Sequence, residues 1–226
     1  MQDPFDTKPR WERRKDARPQ ELLEAALEQF VERGYAATRL EDVARRAGVS
    51  KGTLYLYFEN KQELFKAVVR ATVVEAIGQA ELDMAASDAH SGEVLRALLL
   101  RWWEQVGATK VAGITKLMMA ESGNFPELAQ FYNDEVVERG NALIVCALER
   151  GVARGDFRPV DPQVLMPVLT APVLMLMMWN SACLPCDGAR EIDSAAYMEA
   201  FLDLTLRGLR PDPAPASPMV PVLPKK

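Results

Sequence analysis

Apolar residues recur at three- and four-residue spacing through most of the chain, and the period-two alternation of half-buried strands is essentially absent. Pro19 fits a first helical position, and Leu22, Leu23, Ala26, Leu27 and Phe30 form one stripe until Gly34 supplies a stop, which predicts an amphipathic first helix. Beyond Gly34 the pattern shortens. Leu40, Val43, Ala44 and Ala47 mark about two turns closed by Gly48, and Ser50 caps another short helix ending near Phe58. Asn60 followed by Glu63 has the form of a capping box and opens a longer helix through Leu64, Phe65, Val68 and Val69 toward Met84. After a loop at 87–91, the periodicity predicts helices near 92–110, 112–122, 125–153, 162–182 and 193–208. Asp161-Pro162 and Asp193-Ser194 are helix starts, Gly151 and Gly155 sit where a long helix should fray, and Pro167 and Pro172 predict a kink. The chain therefore reads as all-α.

Both ends differ from this pattern. The first 18 residues carry Lys8, Arg10, Arg13, Arg14, Lys15 and Arg18 against four acidic groups, with only Phe5 and Trp11 as bulky apolar side chains, and read as a mobile basic arm. The last 17 residues hold six of the 15 prolines and read as an extended or disordered tail. Composition changes the picture little, since 49% hydrophobic and 26% charged residues are ordinary for a globular protein. No uncharged apolar run of about 18 residues is expected and the start lacks the apolar core of a signal peptide, so the reading is cytoplasmic with no membrane partner. Three cysteines do not make a secreted disulfide framework.

The net charge of -5 argues against nucleic acid until it is divided along the chain. Residues 1–70 carry 14 Lys and Arg against 12 Asp and Glu, whereas the remainder carries 13 against 20. Affinity for DNA depends on local phosphate neutralisation, so this asymmetry permits a DNA-facing first third on an acidic body.

Two short helices joined by a tight turn, inside a three-helix unit, form a helix-turn-helix over Thr38 to Phe58, in which the second helix can enter a major groove. Leu40, Val43, Ala47, Val49, Leu54 and Phe58 supply its packing face, leaving Lys51, Thr53, Tyr55 and Tyr57 outward as cation, hydroxyl and phenols for phosphates and base edges. Gly52 costs about 1 kcal/mol of helix stability relative to Ala, but lets the backbone approach DNA closely. The stretch Gly34-Tyr35, Thr38, the run from Val43 to Phe58, Lys61 and Leu64-Phe65 closely resembles the N-terminal domain of TetR/AcrR-family regulators over roughly residues 16–76. The resemblance implies an all-α dimer of about nine helices: a three-helix DNA-binding domain and a C-terminal helical domain for ligand binding and dimerisation. It also implies that Thr38 and Lys61 hold phosphates and that Lys51, Gly52, Thr53 and Tyr55 make groove contacts. Tyr57 stands where the family often has histidine, and Arg39 replaces a frequent Thr or Ser with an added charge. The expected division is an arm at 1–15, the DNA-binding domain at 16–76, the ligand and dimerisation domain at 77–209 and the tail at 210–226.

The acidic body is rich in polarizable side chains, and Trp102, Trp103, Met118, Met119, Phe125, Phe131, Met175, Met178 and Trp179 are the candidates for an adaptable apolar pocket. By resemblance, a small hydrophobic inducer binds there and releases a repressor from a pseudo-palindromic operator on double-stranded DNA. The wide apolar faces of Val164 to Trp179 and Met198 to Leu209 are candidates for a two-fold four-helix homodimer interface. A regulator without a small ligand is the alternative, and activation in place of repression stays open. An enzyme is not expected: His90 is the only histidine and lies beside Ser91 in a capping context, and no nucleophile elbow or phosphate-binding glycine loop occurs. No metal or cofactor is expected either, because Cys183-Leu184-Pro185-Cys186 lacks a second pair or a nearby histidine. Cys146 reads as helix core.

Overall fold

The computed structural model describes residues 10–181 and 192–211, with side chains described for 19–180 and 192–211. Nine helices and no strand form among the described residues. They are α1 (Arg10–Ala37), α2 (Leu40–Arg46), α3 (Lys51–Tyr55), α4 (61–86), α5 (91–107), α6 (Ala112–Glu121), α7 (126–154), α8 (Pro162–Ser181) and α9 (Ser194–Leu209). Three of the long helices contain one wide π-type turn, at Arg70–Val74 in α4, Trp103–Gly107 in α5 and Asn133–Val137 in α7.

Helix starts are capped where the sequence marks them. Ser50 Oγ accepts the Thr53 N–H at 3.0 Å, Asn60 Oδ1 accepts the Glu63 N–H at 2.9 Å, and Asp193 Oδ1 accepts from Ala195 and Ala196. His90 caps α5, its Nδ1 accepting the Gly92 N–H at 3.1 Å. Between α2 and α3 the chain turns at Gly48 with φ +67, a left-handed conformation that a Cβ disfavours. Gly34 interrupts α1 with φ 78 and ψ 168, so the stop expected there is a kink followed by one more turn.

The start of α1 differs from the sequence expectation. It begins at Arg10, so Pro19 lies inside it and the backbone of 10–15, assigned to the arm, is helical. The apolar stripe that marked a start at Pro19 reports only the part of the helix that meets the core. Proline keeps a helical φ while removing one N–H. Residues 1–9, most of the tail and the Cys183–Cys186 pair lie outside the described residues.

One core cluster runs from the N-terminal unit into the body: Leu22, Phe30 and Tyr35 of α1, Val43 of α2, Leu54 of α3 and Phe65 and Val73 of α4 join Ile114 and Met118 of α6 and Tyr132 and Val136 of α7. Phe30, Tyr35, Phe65 and Phe125 stack or meet edge to face at 4.7 to 5.8 Å between centroids. Two further clusters join α5, α7, α8 and α9 around Leu95, Leu148 and Leu202, and around Trp103, Leu176 and Met198.

Two expectations are corrected here. Residues 162–180 do form an uncharged helix of mean hydropathy 1.5, long and apolar enough by length and composition to cross a membrane. Its inner face, Leu169, Val173, Leu176 and Met177, packs into the protein core, while Val164, Val168, Met175 and Trp179 stay exposed along the opposite side. Cys146 is exposed on α7, because the apolar stripe of that helix runs through Leu143, Ile144, Ala147 and Leu148.

Candidate functional site

The outer face of the helix-turn-helix is built by α3 and the turn that ends it. Leu54 is fully buried and anchors α3, so Lys51, Gly52, Tyr55, Leu56 and Tyr57 face solvent. Tyr55 and Tyr57 are 44% and 37% exposed and Leu56 reaches 83%, so three adjacent large side chains lie together on this outer face. Lys51 pairs with Glu41 of α2 at 2.5 Å, and that hydrogen bond raises its pKa above the ordinary lysine range. Both partners are about half exposed, so exchanging Glu41 for a phosphate costs little. Thr53 Oγ1 lies 2.9 Å from Ser50 Oγ, and Arg39 is exposed before α2.

Thr38 and Lys61 are placed differently from the other six DNA-contact candidates. Thr38 is 2% exposed, and its hydroxyl donates to the carbonyls of Gln29 at 3.1 Å and Gly34 at 2.7 Å. Lys61 Nζ donates to the carbonyls of Tyr35 at 2.8 Å, Thr38 at 3.1 Å and Ala36 at 3.2 Å, and lies 4.4 Å from the Tyr35 ring centroid. Its three N–H groups are thus committed to two carbonyls of the last turn of α1 and one just beyond it, where a cation is also favoured by the helix dipole. Burial pushes its pKa down. Both side chains thus hold the unit together, Thr38 from a buried position and Lys61 from a partly exposed one.

The body grips the same end of α1. Glu121 Oε1 of α6 accepts the Tyr35 N–H at 3.1 Å. One helical stripe earlier, a Cβ on Gly113 would lie 2.6 Å from both Val31 methyls, so α6 approaches α1 as closely as a glycine allows. A polar chain runs alongside: Arg46 of α2 binds Glu32 through two bonds at 2.7 and 2.8 Å and Glu28 at 2.7 Å, and Glu28 also accepts from Lys110 at 2.6 Å.

The other side of α6 borders a partly open cavity of about 380 Å³ lined by α4, α5, α6, α7 and α8. That volume is within the ordinary range for a small-molecule site. Ile77 and Ala80, Leu98 and Leu99, Met119, Val136 and Leu143, and Met166 and Leu174 make most of its wall. Polar groups are few: Thr115 and Tyr132, whose hydroxyl oxygens are 2.9 Å apart, with Arg101, Gln105, Asn141 and Thr170. Arg101 is paired with Asp83. Each wide turn adjoins or contributes to this wall: Ala76 follows that of α4, Gln105 lies within that of α5, and Val136 and Val137 within that of α7. Such turns often accompany functional sites.

The family model of bacterial regulatory proteins of the tetR family matches residues 22–68, and that of the tetracyclin repressor-like C-terminal domain matches residues 92–196. The transcriptional repressor KstR2 of Mycolicibacterium smegmatis is 31% identical over 149 residues, 63% of this chain and 69% of that protein. The chain belongs to the TetR family. This TetR-family transcription regulator is also 27% identical to the repressor KstR2 of Rhodococcus jostii, over 86% of the chain and 92% of that protein. Its fold matches the crystal structure of FadR from Bacillus subtilis in complex with stearoyl-CoA, with a TM-score of 0.70, 22% identity and coverage of 84% of this chain and 99% of that one.

Of the nine pocket candidates, the TetR-family regulator places only Trp102 and Met119 on the cavity wall. Trp103, Met118 and Phe125 pack into the cores, and Phe131 lies under Lys66 and Arg70 at 5.7 and 5.0 Å. Met175 and Trp179 are exposed on α8, with Trp179 edge-on to Tyr197, and Met178 packs between α8 and its neighbours. Large residue type was an incomplete guide: the wall is made mainly by medium aliphatic groups on five helices, and the polar members Thr115, Asn141 and Thr170 carried no motif. Leu56 and Glu121 were also missed. Leu56 breaks the pattern only by being apolar on a polar face.

Proposed function

We propose that this regulator is a homodimeric repressor whose hold on a pseudo-palindromic operator is released when a small, largely apolar ligand enters the cavity. The observation that carries this reading is the double use of α6. One face of that helix lines the cavity through Thr115 and Met119, and the same ten-residue rod meets α1 through Gly113 and Glu121. A ligand that favours one position of α6 therefore favours one position of the DNA-binding unit, and the two affinities are reciprocally linked. The naming of both KstR2 relatives as repressors supports repression, and the binding of stearoyl-CoA by FadR, with this fold, supports a pocket that takes an apolar chain.

In this reading residues 16–76 bind DNA and 77–209 bind ligand and partner, with Arg39, Lys51, Gly52, Thr53, Tyr55 and Tyr57 at the DNA face. The dimer forms on α8, where Val164, Val168, Met175 and Trp179 leave an exposed apolar stripe, joined by Leu204 of α9, which is 73% exposed. Met198, Leu202 and Leu209 are buried within the protomer, so α9 offers a narrower surface than its sequence suggests. Two protomers then present two α3 helices to successive major grooves.

The test is binding of the purified protein to the intergenic DNA upstream of its own gene, titrated against salt, beside random duplex of equal length. A sequence-dependent complex of one dimer per site is expected. Binding no tighter than to random duplex, across genomic fragments and after removal of any bound ligand, would overturn the reading. Val168→Glu on α8 should yield monomers by sedimentation, and a dimer that persists would move the interface elsewhere.

A further inference from the structure

We infer that the cavity selects neutral ligands that present one carbonyl-type acceptor, as a ketone, ester or thioester does, to the hydroxyl pair of Thr115 and Tyr132. The inference rests on the proposed cavity and adds what recognises the ligand in it. Thr115 of α6 and Tyr132 of α7 are 6% and 7% exposed and both border the cavity. Their oxygens are 2.9 Å apart, and either can donate to the other. Two hydroxyls hold two protons, and their mutual bond uses one. Among the described residues no acceptor takes the second, so one buried donor is left beside an apolar space.

A buried donor without a partner is costly, and a ligand acceptor placed there removes that cost while a hydrocarbon does not. Burial pushes the Tyr132 hydroxyl above its ordinary pKa, so the pair stays protonated through neutral pH. The choice of a neutral acceptor over a carboxylate follows from charge. The cation on the wall, Arg101, is already paired with Asp83, and a carboxylate placed against the buried hydroxyl pair would be left without a counter-charge. Thr115 also lies on the helix that grips α1, so a ligand bonded there acts on that helix directly.

The test uses two neutral probes of nearly equal shape: the ketone fluorophore propionyl-dimethylaminonaphthalene and its propyl analogue, in which a methylene replaces the carbonyl. Because either hydroxyl alone could serve the carbonyl, the decisive protein is the double variant Thr115→Val with Tyr132→Phe, which keeps side-chain shape and removes both donors. The double variant should bind the ketone about five- to tenfold more weakly, as expected for loss of one hydrogen bond, and bind the propyl analogue as the parent does. The emission of the bound ketone should also shift to the blue as its carbonyl loses a donor. Thermal melting and operator binding of the variant without probe establish that it is folded. If both probes bind the parent and respond alike to the double variant, the inference fails while the cavity remains a ligand site. If neither probe binds the parent, the cavity reading fails and the inference with it.

Discussion

Lys61 separates two physical roles that predict different measurements. As a phosphate ligand it would contribute to DNA affinity; as the structure has it, its ammonium closes the end of α1 on three carbonyls and the Tyr35 ring. Lys61→Met keeps the apolar stem and removes the charge. Hydrogen bonds to a charged group contribute about 1.5–3 kcal/mol each and a cation on an aromatic face about 0.5–1 kcal/mol. Here one ammonium serves all of them and bears a desolvation cost, seen in its lowered pKa. Leaving the three carbonyls without their donor then costs on the order of 2 kcal/mol, which for a chain of this size lowers Tm by about 4–8 °C. Lysine with a depressed folded pKa gains stability as pH rises from that value toward the unfolded 10.5, so at neutral pH, below the window, the effect should not vary with pH. The deciding assay is the salt dependence of operator binding. A lost phosphate contact in each protomer would reduce the log–log slope by about 1.8 per dimer. The slope should be unchanged in Lys61→Met, whereas Arg39→Ala should reduce it. A reduced slope with an unchanged Tm would refute the capping role.

Three further outcomes are expected. Tyr55→Ala should weaken operator binding by about tenfold or more, as for loss of a good groove contact, and leave dimer and melting nearly unchanged because the ring is 44% exposed; undiminished binding would remove Tyr55 from the interface. Gly113→Ala drives a methyl into Val31 and should cost about 1–3 kcal/mol as overpacking does, read by chemical denaturation, with an unchanged midpoint showing that α1 and α6 can separate freely. Glu28 has its pKa held below 4.5 by hydrogen bonds from Lys110 and Arg46, so its contribution is full above 4.5 and is lost as pH falls through the depressed value. Glu28→Gln should therefore be less stable than the parent at pH 7, with a gap that closes in acid; a gap independent of pH would show that the network carries no charge-dependent stability.

How much of this was legible depends on whether the determining physics is local. Ser50, Asn60, Gly48 and Asp193 act within one turn of their own positions, so the helix boundaries they set were readable from neighbouring residues. The outward side of α3 was readable for the same reason, since Leu54 alone fixes which way a five-residue helix faces. The intramolecular bonds of Thr38 and Lys61 were not readable because their partners, Gln29 and Tyr35, lie on the preceding helix and meet the same polar atoms only in the fold. The cavity wall was least legible. It is an intersection of five helices, and whether Trp102 or Trp103 meets it depends on how α5 is rotated by packing, with its wide turn beginning between them. Leu56 could have been found by asking which large apolar residue has no core-facing register.

The boundary drawn between the DNA-binding and ligand-binding units near residue 76 falls inside α4, which continues unbroken from 61 to 86, and the largest core cluster spans both sides of it. A flexible-linker mechanism is therefore unsuited to this molecule: separating the units would break Tyr35 from Phe125 and Ile114 and Met118 from the common core. In the proposed function, coupling passes through rods packed against both the DNA-binding unit and the cavity. Two rods qualify because each touches both ends. The first half of α4 supplies Phe65 and Val68 to the N-terminal core and its second half supplies Ile77 and Ala80 to the cavity wall. The ten residues of α6 carry Thr115 and Met119 toward the cavity and Gly113 and Glu121 toward α1. The missing Cβ of Gly113 is what permits that contact, so the feature that makes α6 a poor autonomous helix is also what makes its position matter to the DNA-binding end.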